Sequence, residues 1–411
     1  MAVQNNPRIE IAEDDLKRSR ALASVTKDAY IPTITANGGA GESYGITLNV
    51  PTILTVNAQS LIYSAAQRSY LRGARLNVEA NALTLIEVRE QVAEETASSY
   101  LELDHLSGQE AVLVQISQHA VKLRDLVRKR VMAGLETEQA LNEAERTVVA
   151  TQLQMLQLED RRAYFSEHLA SLVGTPGVQI LTQHDSIPDL KADSTLSDVV
   201  AEAVWTSPAL LSAEANASSK HEQAHGDARY VWRPQVSFAS QYGRISPIND
   251  VSDYYNLHGK YNTGFLGVSV FVPILDAAHK ARARESAAGA MQADHQVLLL
   301  QAQQREDALK LRHSLAELAA RARIAELDEK IAENQLQSVL IEVRLGGDGG
   351  PALTPRDEEN ARIRERQQQL AVLDAHVQLQ KAQITLLRRT RGIESWLGLS
   401  LREPQLARDK H

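Results

Sequence analysis

The chain has 411 residues, with 44 basic and 52 acidic side chains and a net charge of −8. This charge excludes a global basic field that would recruit nucleic acid, and 43% hydrophobic content excludes a disordered chain. There is no cysteine, so disulfides, thiolate metal sites and a thiol nucleophile are all ruled out.

The N-terminus, MAVQNNPRIEIAEDD, lacks the apolar core of a signal peptide, as a cytoplasmic protein or the mature form of an exported one would. Residues 1–30 read as a leading helix. The next stretch, 31–63, is nearly uncharged: from Ile31 to Ile62 only Glu42 carries charge. Its Thr, Val, Ile and Tyr content predicts a β-hairpin around a Gly/Asn-rich loop. Residues 64–175 contain no proline until the end and predict a long helical hairpin turning at Gly134. Positions 141, 144, 148, 151, 155, 158, 162, 165, 169 and 172 step by three and four and are mostly apolar. A single helix over 64–131 would be about 100 Å long. A globule of this chain length would be only about 55 Å across, so an elongated molecule is expected.

After a connector and second leading helix (176–229), the pattern repeats. Residues 230–275 form a second charge-poor hairpin, in which Val236, Phe238 and Ser240 alternate with Gln235, Ser237 and Gln241. The windows 30–70 and 230–271 hold 13 of the 18 aromatic residues. Uncharged strands with aromatic ends fit a lipid-facing barrel, with Phe238, Tyr242, Tyr261 and Phe265 as membrane-facing candidates. A buried hairpin in a soluble sheet is the competing reading. Residues 276–398 predict a second long helical hairpin and 399–411 a tail. Its seam, from Leu311 through Leu315, Leu318, Ala322 and Ala325 to Val343, has one charged member, Glu329. Spacing supports a duplication: Ile62 to Gly134 is 72 positions and Leu275 to Gly346 is 71. The second turn is longer, with GGDGGPALTPRD starting at Gly346.

The fold class expected is therefore mainly α with a small β part. Four strands cannot close a barrel, and an open edge in lipid is untenable. Closure requires other copies, and three would supply twelve strands.

Several motifs then acquire meaning in their order. SPALLSAEANASSKHEQAHGDARYVWRPQVSF (207–238) is a small-residue helix ending in Pro before a strand. Val272-Pro273-Ile274-Leu275-Asp276 is a strand-to-helix junction with Asp276 as N-cap. Arg130-Val131-Met132-Ala133-Gly134 is a helical tip. With the double repeat, these resemble the TolC family of outer-membrane efflux proteins from about Arg8 to Leu399. The resemblance implies a homotrimer with a 12-stranded barrel in the outer membrane of a Gram-negative bacterium, extended into the periplasm by helices. It implies a passive duct for efflux or type I secretion, without enzyme activity, cofactor or metal. Partners implied are the lipid bilayer, a periplasmic adaptor and an inner-membrane pump. Arg130, Gly134, Gly346 and Gly347 become adaptor-contact candidates. Arg344, Asp348, Arg356, Asp357 and Glu358 become candidates for a periplasmic gate.

Two other classes compete. A soluble periplasmic coiled-coil scaffold explains the helices but not the charge-free hairpins. His221-Glu222-Gln223-Ala224-His225 matches the HExxH zinc-protease pattern, yet Ala228 stands where an extended motif needs glycine and no third ligand follows. A solvated helix surface is the stronger reading of that segment.

Overall fold

The computed structural model describes residues 1–39, 53–183, 187, 207–245, 262–345 and 353–398. The short α1 (Ala2–Asn5) and α2 (Pro7–Asp28) lead into β1 (Thr33–Gly39) and β2 (Ile53–Ser64). The long α3 (Ala65–Met132) and α4 (Glu138–Val173) follow. The second half runs α5 (Pro208–Ala228), β3 (Gln235–Ile245), β4 (Asn262–Phe271), α6 (Ala277–Leu345), α7 (Pro355–Arg389) and a final turn, α8 (Ile393–Trp396). The four strands form one antiparallel sheet in sequence order, β1-β2-β3-β4.

The long helices have identifiable ends. The Asp276 carboxylate accepts the His279 backbone N–H at 2.9 Å, capping the start of α6. At the other end of α3, Gly134 takes φ +71, a left-handed conformation in which glycine suffers no Cβ clash. Gly134 N–H then reaches the Val131 carbonyl and Leu135 N–H the Arg130 carbonyl, both at 2.9 Å, satisfying groups that the helix end would orphan.

Contacts divide the chain into two compact units. The first joins Met1–Ile11, Ile86–Ser207 and Gln301–Gln405. Within it, α4 packs on α3, α3 on α7, and α7 on α6. Leu106, Ile116, Val127, Val148, Leu158 and Ile363 form its buried cluster, with Leu141, Met155 and Phe165 packed against it. The expected seam of α4 faces this core, except Arg162, which pairs outward with Glu110 of α3 at 2.6 Å. Buried Glu102 of α3 holds α4 and α7 together through Arg161 and Lys381. Burial pushes the Glu102 carboxyl up, but the hydrogen bonds and charges of Lys381 and Arg161 overcome this and hold it below the ordinary range. Pairs His119–Glu359 (2.6 Å) and Arg389–Asp307 (3.2 Å) fasten α3 to α7 and α7 to α6.

The second unit joins Ala12–Leu85 and Pro208–Leu300 with the chain end, and it carries the sheet. Its helices follow the order of the strands that they adjoin. The Gln67 side chain of α3 donates to the Thr26 carbonyl of α2 at 2.6 Å. Ser219 of α5 donates to the Gly73 carbonyl of α3 at 2.7 Å. The Asp227 carboxylate of α5, itself buried, accepts from Tyr70 of α3 at 2.6 Å and from Ser286 of α6. Burial first, then this bond to Asp227, pushes the Tyr70 hydroxyl far above its usual range, so it stays a donor.

Candidate functional site

The strand pairings resolve which side chains share a face. Because side chains alternate along a strand and paired residues point the same way, one register fixes the whole sheet. Ile34 pairs with Ala58, and Val56 pairs with Tyr242; Phe238 pairs with Val268, and Val236 with Val270. Together with Ala36, Leu54 and Leu266 these make one face mainly apolar, interrupted by Ser60 and Ser240 and ending in the Arg244–Asn262 pair. The opposite face carries Thr33, Thr35, Asn37, Thr55, Asn57, Gln59, Gln241, Thr263 and Ser269. Among the described residues neither face is covered: Ile34, Leu266, Val268 and Val270 of the first are each at least 62% exposed, and Phe265 and Phe271 of the second at least 55%. Water-soluble antiparallel sheets bury their apolar face, so this arrangement calls for an apolar solvent on one side.

Of the membrane-facing candidates, Phe238 and Tyr242 lie on the apolar face. Phe265 does not. It pairs with Gln241, in a row that continues to Asn57 and Thr35, and so belongs to the polar face. Aromatic content alone cannot tell these positions apart, because it carries no parity across the stretch between β3 and β4. Tyr261 lies outside the described residues. The outer edges of β1 and β4 have no partner strand among the described residues.

At the far end of the first unit, the turns after α3 and before α7 are joined. Glu136, mostly buried, accepts Arg130 Nε at 3.3 Å with Oε1 and Arg356 Nη1 at 2.8 Å with Oε2. Sequence reading singled out both arginines for different roles and saw Glu136 only as one of the acidic residues following the basic cluster near the tip, not as the partner that joins them. Asp357 caps α7: its Oδ2 accepts Thr354 N–H at 2.8 Å and Thr354 Oγ1–H at 2.7 Å. Burial pushes the Asp357 carboxyl up, but the Thr354 bonds, with Arg356 and Arg130 nearby, hold it below the usual range. Glu358 pairs with Arg362 one turn on, at 2.8 Å. Arg344 is exposed in the last turn of α6. Gly346, Gly347 and Asp348 lie outside the described residues. Met132 and Leu135, beside Gly134, are exposed apolar side chains that the sequence reading did not select.

The HExxH segment lies within α5, where its first two side chains are engaged elsewhere. His221 pairs with Asp294 of α6 at 2.9 Å, whereas Glu222 pairs with Arg72 of α3 at 3.2 Å. These partners sit on the two opposite neighbours of α5. Among the described residues no group of His, Asp and Glu is placed to hold a metal. No described helix is long and apolar enough to cross a membrane, a criterion that does not bear on strands.

Comparison with known proteins adds two findings. Residues 1–175 match the family model of outer membrane efflux proteins. The fold is similar to the CmeC outer membrane channel of Campylobacter jejuni, with TM-score 0.72 and 14% identity over 95% of this chain and 84% of that one. It is similar to the outer membrane protein VceC of Vibrio cholerae, with TM-score 0.69 and 18% identity over 98% and 95%. It is also similar to the MtrE outer membrane channel of Neisseria gonorrhoeae in its open state, with TM-score 0.73 and 14% identity over 95% and 87%. At such identities the likeness is one of fold. No curated protein sequence matches the chain.

Proposed function

We infer that the chain is the outer-membrane duct of a tripartite efflux system, a reading supported by the match of residues 1–175 to the outer membrane efflux protein family. The observation that carries this reading is the sheet, among the described residues uncovered on both faces and unpaired at both edges, mainly apolar on one face and mainly polar on the other. A closed barrel in lipid needs an apolar exterior, a polar interior and no free edge. One copy supplies four strands, and a homotrimer joining β4 of each copy to β1 of the next supplies twelve. The apolar face, with Phe238 and Tyr242, then meets the bilayer, and the polar face lines a water-filled bore. Transport needs no chemistry from such a bore, so the protein acts as a passive conduit.

The joined turns are the end that meets a periplasmic adaptor and pump. Arg130, Gly134 and the exposed Met132 and Leu135 offer the contact surface. Arg344, Arg356, Asp357 and Glu358 act as the gate of the entrance. Glu136 already engages Arg356 within one copy, which supports a gate built from intra-chain as well as inter-chain pairs. Exposed pairs between copies would individually be worth about 0–1 kcal/mol, but threefold repetition adds them.

The test is the full chain purified in detergent. We expect a detergent-corrected trimer mass and ion conductance in planar bilayers. A water-soluble monomer with intact strand content would refute the duct. Neutralising Arg344 with Asp357 should raise conductance while trimers persist; unchanged conductance removes both from the gate.

A further inference from the structure

We propose that Gly267 sets the bore of the conduit by giving the Phe265 ring a place to lie flat against the inner wall. This rests on the reading above, which turns the polar face of the sheet inward.

Phe265 and Gly267 are two apart on β4 and share that face. A Cβ built on Gly267 would meet Phe265 Cζ at 2.7 Å, Cε2 at 3.2 Å and Cε1 at 3.4 Å. The far half of the ring therefore covers the glycine backbone instead of projecting from the strand. Gly267 pairs with Ala239 of β3, so the seat is walled by small side chains on the neighbouring strand too. The ring remains 60% exposed, which means that only one side of it is withdrawn from water. Lying on the wall removes that side from solvent, which favours the seated rotamer.

The backbone does not itself demand glycine here. Gly267 is not among the residues with positive φ, unlike Gly134, and its strand dihedrals suit any L-residue. What a side chain would lose is the seat. A β-branched residue at 267 would occupy the volume now filled by the ring tip. Phe265 would then swing to another staggered rotamer, away from the wall.

The effect is magnified by symmetry. Three copies place three rings at one height. A barrel of eight strands is filled by its own side chains, whereas one of sixteen to eighteen holds an open channel. Twelve strands lie between these limits, where three displaced aromatic rings occupy a substantial part of the opening.

Single-channel recording of the full chain in planar bilayers tests this. Gly267→Val should lower conductance below the parental value, because three rings would then enter a bore narrower than that of a sixteen-stranded channel. Adding Phe265→Ala to Gly267→Val should restore the parental value, since no ring is left to displace. Phe265→Ala alone should leave conductance at or slightly above the parent. Should the valine variant fail to assemble, Gly267→Ala, whose single methyl already meets the ring, gives the same comparison. Parental conductance in the Gly267 variants, or a double variant as restricted as Gly267→Val, would overturn the proposal. A parent chain that conducts nothing would refute the duct reading, and this proposal with it.

Discussion

Helices α3 and α6 invite comparison, since they are 68 and 69 residues long and each follows a strand at the same place in its repeat. Their surroundings differ. In both compact units α3 has a helix on either side: α2 and α5 in one, α4 and α7 in the other. In both, among the described residues, α6 has a helix on one side only, α5 or α7. Accordingly Leu106, Ile116 and Val127 of α3 are buried, while Met291, Leu298, Leu299, Ile324, Ile331 and Ile341 of α6 are exposed. Exposed large apolar side chains recur at Leu22 and Val25 of α2 in the second unit and at Val149, Leu153 and Leu156 of α4 in the first. Helices α5 and α7, interior like α3, show none. A duplication gives two similar sequences, but position in the array decides which apolar stripes the chain itself satisfies. The two unsatisfied edges are different surfaces, so joining them is a head-to-tail contact that closes into a ring when the rotation allows.

The largest expected effects separate edge from interior. Leu298→Asp with Leu299→Asp should abolish oligomers in detergent while leaving helicity by circular dichroism nearly intact. Leu106→Ala should instead cost about 2–5 kcal/mol of stability with the oligomer preserved until unfolding. If the edge pair behaves like Leu106, the exposed stripe of α6 is not an interface.

The two faces of the sheet offer a second contrast. Phe238→Arg should impair membrane assembly by about 2–4 kcal/mol near the midplane, whereas Phe265→Arg should leave it intact. Folding into vesicles, followed by heat-modifiable gel mobility, measures both. Equal impairment would contradict the assignment of faces.

Interior placement also has an electrostatic consequence on α3. Burial raises the Glu90 carboxyl to about 7 against the opposing pull of Arg391, with Glu87 and Glu394 adding to the rise. A carboxyl whose pKa is raised on folding binds its proton more tightly in the native state. Its contribution to stability is therefore fully present below the unfolded value and is lost as pH rises through about 7. Glu90→Gln should flatten the fall in melting temperature between pH 5 and pH 8. An unchanged slope would place the titration elsewhere. The smallest effect is expected at the entrance, where Asp357→Asn weakens the Thr354 cap by about 1 kcal/mol or less, read as fraying of α7 by hydrogen exchange.

Much of this architecture was legible because proline absence and three-four spacing dictate long helices, and absence of charge marks the hairpins. The helix expected over 64–131 runs Ala65–Met132, and the Asp276 cap lies where the sequence put it. What could not be read is parity and pairing. Phe238 and Phe265 look alike in composition, and only the register of β3 on β4, which pairs Phe238 with Val268 and Phe265 with Gln241, separates their faces. Likewise Glu136 has no distinguishing neighbours in sequence, since Arg356 is 220 positions away.

That single carboxylate has an evolutionary consequence. Glu136 serves Arg130 from one turn and Arg356 from the other, so the three positions cannot drift independently. Loss of one arginine frees an oxygen for the survivor, whereas loss of the glutamate strands two cations at once. Substitution effects here should be non-additive, as for any residues sharing a partner. Related chains should therefore exchange positions 130, 136 and 356 as a set, and one reversed charge would be tolerated only after the others had changed.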